Sequence, residues 1–279
     1  MLKYHEPFII QLYKKCVAPF GYRKLKRLRE KGLPEQFFIP LSFLFNKSLS
    51  DEDNKVLHKV EMIREQIANR DTLFTPILMN RNIERTAYEI ANKSSVSPDW
   101  GMFLYLCAKS FKARTVLELG SSAGVSGCYL ASAPDCHKFV TIEANSALAS
   151  LAEHNIRKVN TLIQVINGRF DHVLGDVLDN LTDQIDLVFF DGTKEQDETL
   201  DLFRLIIPKL NNNCIVIFDD IYWSKDMQQL WQQVCEWEGL AHTINVGRFG
   251  VCLWRGDNKK PVIVDFSLFT GWLRIKNEF

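Results

Sequence analysis

Residues 115–127 read TVLELGSSAGVSG, a short apolar run of β-forming residues that leads directly into a glycine-rich loop and a helical pattern. A glycine-rich turn between a strand and a helix lets the backbone approach a ligand closely. The glycines are spaced GxxxGxxG, which differs from the GxGxxG of dinucleotide-binding loops. The loop therefore indicates a ligand crevice but does not identify the ligand.

Around this loop, strand-like runs alternate with helical patterns as far as residue 255. The predicted strands are 115–119, 138–143, 162–167, 185–190, 214–219, 241–246 and 249–255. Such alternation is typical of right-handed βαβ units and a mostly parallel sheet. Only Gly247 and Arg248 separate the last two runs, so one of these strands is expected to be antiparallel. The sequence thus predicts an α/β, Rossmann-like fold with seven strands and helices on both faces.

The chain is longer than this pattern requires. Residues 1–94 form a predicted helical extension, with a clear helix over 51–70 that follows an N-cap signal at Ser50. Residues 95–255 form the predicted α/β domain, and residues 256–279 form a tail that we expect to pack on the core. We expect the extension to act as a cap over the active site or as a contact in a homodimer.

Charge and cysteine content limit the classes of function that this chain can have. Lys and Arg number 34, as do Asp and Glu, and a neutral chain is not typical of a nucleic-acid binder. A basic run at 23–31 is interpreted as a solvated helix face interrupted by Leu25 and Leu28, with contact to RNA or an anionic membrane as the alternative. Seven cysteines without CxxC spacing, no signal-peptide pattern and no membrane-length apolar run predict a cytoplasmic protein.

An acid ends the predicted second strand. Glu143 stands where a carboxylate can accept both hydroxyls of a ribose. The alternative is a solvated acid at a strand end. The glycine-rich loop and Glu143 together favour a nucleoside ligand in the crevice.

These residues resemble a known family. The motif ELGxxxGxS at 118–126, followed by Glu143, resembles class I S-adenosylmethionine-dependent methyltransferases, and more specifically the catechol and caffeoyl-CoA type O-methyltransferases. Four further segments agree in order: SPDWGMFL at 97–104, DLVFFDGTK at 186–194, IFDDIYW at 217–223 and GRFG at 247–250. The resemblance extends over residues 95–255.

The resemblance implies S-adenosylmethionine as the cofactor. It implies a cofactor site made of Glu118, Gly120, Ser122, Gly124, Ser126, Glu143, Ala144, Gly168, Arg169, Phe170, Asp171 and Asp191. In such a site Glu118 and Gly120 form the floor below the methionine part, and Glu143 holds the ribose hydroxyls. Asp171 accepts from the adenine amine, and Asp191 lies beside the sulfonium. Core packing is the alternative role for Phe170.

The resemblance also implies the catalytic residues. Asp191, Asp219 and Asp220 end neighbouring predicted strands, and in the family these positions hold Mg²⁺, which would anchor two acceptor hydroxyls. Lys194 matches the general base, a role for which it must lose its proton. The family usually has Asp-Asn where this chain has Asp219 and Asp220, so the alternative is that Asp220 caps a helix or pairs with a basic side chain and no metal is bound. Trp223 is expected to line the acceptor pocket or to cover the sheet edge.

The predicted function is S-adenosylmethionine-dependent O-methylation of a small-molecule acceptor, with or without Mg²⁺. One alternative is an N- or C-methyltransferase whose acids bind a substrate cation instead of a metal. Another is a protein that binds the nucleoside, has lost catalysis and serves a partner. DGTK at 191–194 differs from the Asp/Asn-Pro-Pro-aromatic motif of nucleic-acid amino-methyltransferases, so no nucleic-acid partner is expected.

Overall fold

The centre of the computed structural model, which describes residues 8–75, 77–78, 81–82 and 84–270, is one eight-stranded sheet. Its strands are β1 (Thr115–Leu119), β2 (Lys138–Glu143), β3 (Ile163–Asn167), β4 (Ile185–Phe190), β5 (Leu210–Phe218), β6 (Leu240–Asn245), β7 (Gly250–Trp254) and β8 (Val262–Asp265). The spatial order is β8-β6-β7-β5-β4-β1-β2-β3. Strands β1 to β5 run parallel to one another, and β7 is antiparallel to β5 and β6. The predicted Rossmann-like, mostly parallel fold is confirmed.

The sheet has one strand more than the seven predicted. The additional strand is β8, which pairs in parallel with β6 at the edge of the sheet. Val264 on β8 and Phe266 just after it are buried against the core. The sequence shows an apolar run at this position, but the return of the chain to the sheet edge depends on tertiary packing.

Helices cover both faces of the sheet. They are α1 (Phe8–Glu30), α2 (Phe38–Asn46), α3 (Asp51–Ala68), α4 (Ala87–Glu89), α5 (Pro98–Ser110), α6 (Val125–Ala131), α7 (Ser146–Ile156), α8 (Phe170–Asn180), α9 (Gln196–Ile206), α10 (Lys225–Val234) and α11 (Ser267–Thr270). Alternate residues of β4 face opposite layers: Leu187 and Phe189 pack with the first seven helices, whereas Val188 and Phe190 pack with α8 to α10. This two-faced burial explains why the parallel strands read as nearly continuous apolar runs.

Short elements connect these helices. Short 3₁₀ turns span Glu35–Phe37 and Ile207–Lys209, and a π-helical turn spans Ile90–Ser94. Two short antiparallel strand pairs lie between α3 and α4: Leu73–Phe74 with Arg85–Thr86, and Ile77–Leu78 with Arg81–Asn82. In the part of the chain that the structure describes, each helix is too short or too polar to cross a membrane.

The N-terminal helices share a hydrophobic core with the sheet. Leu25, Phe37 and Val60 are buried in the same cluster as Trp100 and Phe249. Leu25 is buried, whereas Arg23, Lys26 and Arg27 are exposed, as expected for a solvated helix face. Lys24 is half-buried and its Nζ donates to Asp265 O.

Candidate active site

The candidate site lies at the carboxyl ends of the parallel strands. Strand β1 has β2 on one side and β4 on the other, so the chain order reverses there and a ligand crevice opens at that point. Backbone hydrogen bonds continue the ladder one residue beyond the strands, from Asp191 N to Leu119 O (2.9 Å) and from Asp219 N to Phe190 O (2.9 Å). Both aspartates are therefore held in line along the sheet edge.

Two loops meet closely in this crevice. Gly120 follows β1 with a φ of 98°, a conformation that residues with a side chain rarely adopt. A Cβ atom on Gly120 would lie 2.6 Å from the Cα of Gly192, in the loop after β4. Glycine at position 120 is therefore required both by its dihedral angle and by the close approach of the loop that carries Asp191.

Glu143 is fixed at the end of β2 by backbone donors. Its Oε2 accepts from Ser122 N (2.8 Å) and its Oε1 from Asn145 N (2.9 Å). Burial raises the pKa of its carboxyl group above the usual value, although these backbone bonds oppose the shift. Each carboxylate oxygen retains a lone pair for a further donor. The structure thus brings Ser122 to Glu143.

The loops after β2 and β3 are joined in the same region. Gly168 N donates to Glu143 O (3.0 Å), and Asn167 Nδ2 donates to Ala144 O (3.1 Å). Gly168 and Ala144, two residues of the predicted cofactor site, are therefore held beside Glu143.

Glu118 and Ser126 lie beneath the glycine-rich loop, in the interior. Both are buried, and Glu118 accepts from Ser126 Oγ (2.6 Å) and from Thr141 Oγ1 (2.8 Å). Burial raises the pKa of Glu118 to about 7. This pair supports the loop from below, and its side chains point away from solvent. Gly124, with a φ of 85°, is the residue before α6.

The residues predicted to border the adenine lie at the start of α8. The Phe170 ring lies where a side chain on Gly192 would have to be, and it also packs on the core cluster of that face. Bordering the crevice and packing on the core are therefore compatible roles for Phe170. Arg169 and Asp171 are each half-exposed and pair with one another at 3.2 Å (Nε to Oδ1). This hydrogen bond lowers the pKa of Asp171.

Asp191, Asp219 and Asp220 form what we term the acidic cluster. One carboxylate oxygen from each lies within 4.8 Å of the others. Lys194 Nζ lies 2.9 Å from Asp191 Oδ1 and 3.3 Å from Asp220 Oδ2, and its side chain is only 12% exposed. The structure thus brings together the four residues predicted to form the catalytic and metal site. Asp220 pairs with a basic side chain, Lys194, as one of the alternatives for this residue predicted.

Arg248 also belongs to this site, although the sequence argument did not assign it a role. Its Nε lies 2.6 Å from Asp219 Oδ1 and its Nη2 lies 2.7 Å from Asp219 Oδ2, a bidentate pair. The antiparallel pairing of Gly250 with Phe218 sets the start of β7 beside the end of β5. That pairing, together with the short predicted link at Gly247 and Arg248, is the signal that could have located Arg248.

The charges of the site determine its proton affinities. Burial and the neighbouring carboxylates raise the pKa of Asp191 well above its usual value, against the opposing effect of Lys194. Burial would also raise the pKa of Asp219, but the Arg248 guanidinium and the Lys194 ammonium together outweigh it and hold that pKa at about 2. Burial likewise disfavours the ammonium form of Lys194, but Asp191 and Asp220 outweigh it and raise the pKa of Lys194 above its usual value. Lys194 is therefore an ammonium group in this arrangement.

Trp223 lies at the rim of the acidic cluster. Its backbone N–H donates to Asp220 O at 2.8 Å, and its side chain is 65% exposed. Most of the indole is therefore open to solvent. Its contact with an acceptor stays a prediction.

Comparison with known proteins identifies a related domain. Residues 117–221 match a family model described as a methyltransferase domain. A catechol O-methyltransferase from Niastella koreensis is 32% identical over 103 residues, which is 36% of this chain and 47% of that protein. A catechol O-methyltransferase from Mycobacterium tuberculosis is 34% identical over 132 residues, 46% of this chain and 57% of that protein. The chain thus spans about half the length of the curated relatives it matches.

A solved structure agrees with this fold. The O-methyltransferase TomG from Streptomyces achromogenes, determined with S-adenosylmethionine, has a TM-score of 0.54 to this chain at 20% identity. The superposition covers 80% of this chain and the whole of TomG. The predicted resemblance to O-methyltransferases is confirmed over the matched residues.

Proposed function

From the methyltransferase domain at residues 117–221, we propose that this chain is an S-adenosylmethionine-dependent methyltransferase acting on an oxygen of a small-molecule acceptor. The observation that carries the proposal is the arrangement at the switch point of the sheet. There Glu143, the Gly120 loop and the acidic cluster occupy successive positions along one edge. This arrangement would fit a nucleoside beside Glu143 and a reacting centre beside the acidic cluster.

Glu143 would bind the ribose of the cofactor. Its two oxygens are already aligned by Ser122 N and Asn145 N, and their remaining lone pairs suit the two adjacent hydroxyls of a ribose. The backbone around Gly120, which has no side chain, would lie against the methionine part, and residues 168–171 would border the adenine. Bound S-adenosylmethionine supplies a methyl group activated on a sulfonium, and Asp191 would face that positive charge.

Lys194 would act on the acceptor as a cation. The family resemblance implies a general base at this position, but the ion pairs with Asp191 and Asp220 favour its ammonium form. An ammonium group beside the acceptor oxygen lowers the pKa of an acceptor hydroxyl, so that the hydroxyl releases its proton to solvent and the ammonium stabilises the oxyanion that attacks the methyl carbon. Trp223 would supply an aromatic surface for the acceptor at the rim.

The state of the cysteines supports a cytoplasmic setting. All seven are free thiols in the structure, and five of them are buried. Free buried thiols are typical of a reducing compartment, which supports the cytoplasm as the place of this reaction.

A methyl-transfer screen tests the proposal. The full chain is incubated with S-adenosylmethionine labelled on its methyl group and with panels of phenols, alcohols and amines. We expect label in an oxygen-linked product and formation of S-adenosylhomocysteine. Label found on nitrogen would replace O-methylation by N-methylation, and cofactor binding without transfer to any panel would favour the catalytically inactive alternative.

The variant Lys194→Met tests whether the positive charge of Lys194 contributes to catalysis. Met keeps much of the side-chain length and removes the charge. We expect it to lower kcat by about 10²–10³-fold while cofactor affinity is retained. Lys209→Met, at a lysine in the turn after α9, is the matched control and should leave kcat unchanged.

A further inference from the structure

We propose that Arg248 is the resident cation of the acidic cluster, so that this chain uses a guanidinium group where related enzymes would use a divalent metal. The inference rests on the proposed methyltransferase function for the identity of the reaction. It concerns which positive charge holds Asp191, Asp219 and Asp220 together.

The first support is that Arg248 occupies the ligand atoms of Asp219. Oδ1 of Asp219 accepts from Arg248 Nε (2.6 Å) and from Asp220 N (2.7 Å), and Oδ2 accepts from Arg248 Nη2 (2.7 Å). A planar guanidinium matches the two oxygens of a carboxylate in this bidentate way. Oδ1 of Asp219 therefore has both lone pairs engaged, and a metal at Asp219 would have to share Oδ2 with the guanidinium.

The second support is burial of the pair. The side chain of Asp219 is fully buried and that of Arg248 is 10% exposed. Breaking such a pair leaves two buried charges without partners, which is strongly unfavourable. A metal ion would therefore have to break a buried ion pair to displace Arg248 from Asp219.

The third support is the anchoring of the backbone that carries Arg248. Ile221 N donates to Arg248 O (3.2 Å), which ties the turn to the loop that follows Asp219 and Asp220. Val246 N donates to Phe249 O (3.0 Å), and Gly247 N donates to Asn245 Oδ1 (2.9 Å). The β6–β7 turn is thus fixed on both sides of Arg248, and it holds the guanidinium at the cluster.

The fourth support is the balance of charge. The remaining two carboxylates contact Lys194, so each member of the acidic cluster already touches a cationic side chain. Even when all three carboxyl groups are ionised, two cations leave only one negative charge, which a sulfonium beside Asp191 would neutralise. A divalent ion in addition would leave a buried excess of positive charge, which is unfavourable in a poorly solvated site. The donor set therefore does not fit Mg²⁺ while Arg248 and Lys194 are in place.

Direct metal binding tests the proposal. Mn²⁺ serves as a probe for oxygen-ligated divalent ions, and electron paramagnetic resonance measures the free ion during titration of the full chain. We expect wild type to show no stoichiometric site at millimolar Mn²⁺. Arg248→Ala should gain one site with a Kd at least about tenfold lower than that of wild type, a change of about 1.4 kcal/mol.

Two further variants assign the gained site. Adding Asp219→Asn to Arg248→Ala should abolish the gained Mn²⁺ binding. Arg204→Ala, which removes an exposed partner of Asp201, is the matched control and should gain nothing. Circular dichroism and S-adenosylhomocysteine binding establish that each variant is folded.

The outcomes separate this inference from the proposed function. One tightly bound Mn²⁺ in wild type that is lost in Asp219→Asn overturns the inference, even if Arg248→Ala fails to fold. A folded Arg248→Ala that stays metal-free overturns it as well, because the carboxylates would then have no affinity for a cation in its place. Failure of wild type to bind S-adenosylhomocysteine removes the proposed function and leaves the Mn²⁺ result valid.

Discussion

At the scale of single residues, Asp219 keeps its negative charge inside the protein because Arg248 pairs with it. The folded-state pKa of Asp219, about 2, lies below the usual 3.8. A lowered folded-state pKa means that the pair stabilises the fold above the unfolded-state pKa and is lost as the pH falls through the folded-state pKa. The relevant pH window therefore lies between about 4 and about 2.

Asp219→Asn tests this pair. We expect the free energy of unfolding to fall by about 3–5 kcal/mol at neutral pH, because the buried Arg248 charge loses its partner. The difference from wild type should shrink as the pH is lowered through that window, since the wild-type carboxyl then takes up a proton. Urea denaturation at a series of pH values measures it, with Asp201→Asn as the exposed control. A difference that is independent of pH would contradict the pairing.

Glu118 shows the opposite behaviour. Its folded-state pKa of about 7 exceeds the usual 4.5 because of burial. The stability linked to the protonated form is fully present below the usual pKa and is lost as the pH rises through about 7.

Glu118→Gln makes this position permanently neutral. When the pH is raised from mildly acidic to mildly alkaline values, the free energy of unfolding of the variant should increase by about 2 kcal/mol relative to that of wild type. Denaturation curves at the two pH values give the difference. Glu153→Gln, at a half-exposed acid on α7, should show no such dependence, and an equally flat result for Glu118→Gln would refute the burial argument.

Single residues also show why the role of Arg248 could not be predicted from the sequence. Asp191, Asp219 and Lys194 could be predicted because each stands in a motif at the end of a strand. Arg248 stands in a turn, and its partner is 29 residues away in sequence. Only the antiparallel register of β7 on β5 brings the two together.

At the scale of elements, the buried strands of the sheet are the most predictable part. β1, β2 and β4 have the bounds that the sequence predicts. β5 begins at Leu210, earlier than the predicted 214. The sequence did not predict this start because residues 211–213 are polar and have no apolar pattern. Pairing of the β5 backbone with β4 includes Leu210 despite that polarity.

Another element shows how position modifies a local signal. Pro40 lies within the strongly apolar stretch that forms α2 (Phe38–Asn46). It occupies the first turn of the helix, where an N–H group has no partner within the helix in any case. The apolar pattern therefore forms a helix in spite of the proline.

The β6–β7 turn gives a prediction at this scale. Gly247 has a φ of 91°, so Gly247→Ala should lower the free energy of unfolding by about 1–2 kcal/mol. Gly175→Ala is the matched control because Gly175 lies within α8 and a Cβ there has no neighbour within 4 Å; it should raise stability by about 0.5–1 kcal/mol. Thermal denaturation measures both, and equal effects would contradict the strained turn.

At the scale of the whole molecule, the N-terminal helices and the sheet form one packing unit. Phe37 is buried and its ring lies 4.9 Å from that of Phe111, centroid to centroid. Arg64 on α3 donates to the carbonyl oxygens of Ala91 and Val96 (2.6 Å each). The amphipathic pattern of 51–70 predicts α3, but it cannot show which surface of the domain the helix covers, because that depends on long-range packing.

Phe37→Ala tests whether the N-terminal helices and the sheet unfold as one unit. We expect a loss of about 3–5 kcal/mol from the cavity it creates, within a single cooperative transition. Phe20→Ala, at a side chain that is 60% exposed, should change stability by less than about 0.5 kcal/mol. Two separate transitions in calorimetry would show that the helices fold apart from the sheet.

The central claim is that the crevice between β1, β2 and β4 binds the nucleoside of S-adenosylmethionine. Isothermal titration calorimetry of the full chain with S-adenosylhomocysteine in chelator measures this binding most directly. We expect one ligand per chain, with Glu143→Ala weakening binding by about 10- to 100-fold through loss of charged hydrogen bonds and Glu153→Ala leaving it unchanged. No binding by wild type, or equal binding by Glu143→Ala, would contradict the account.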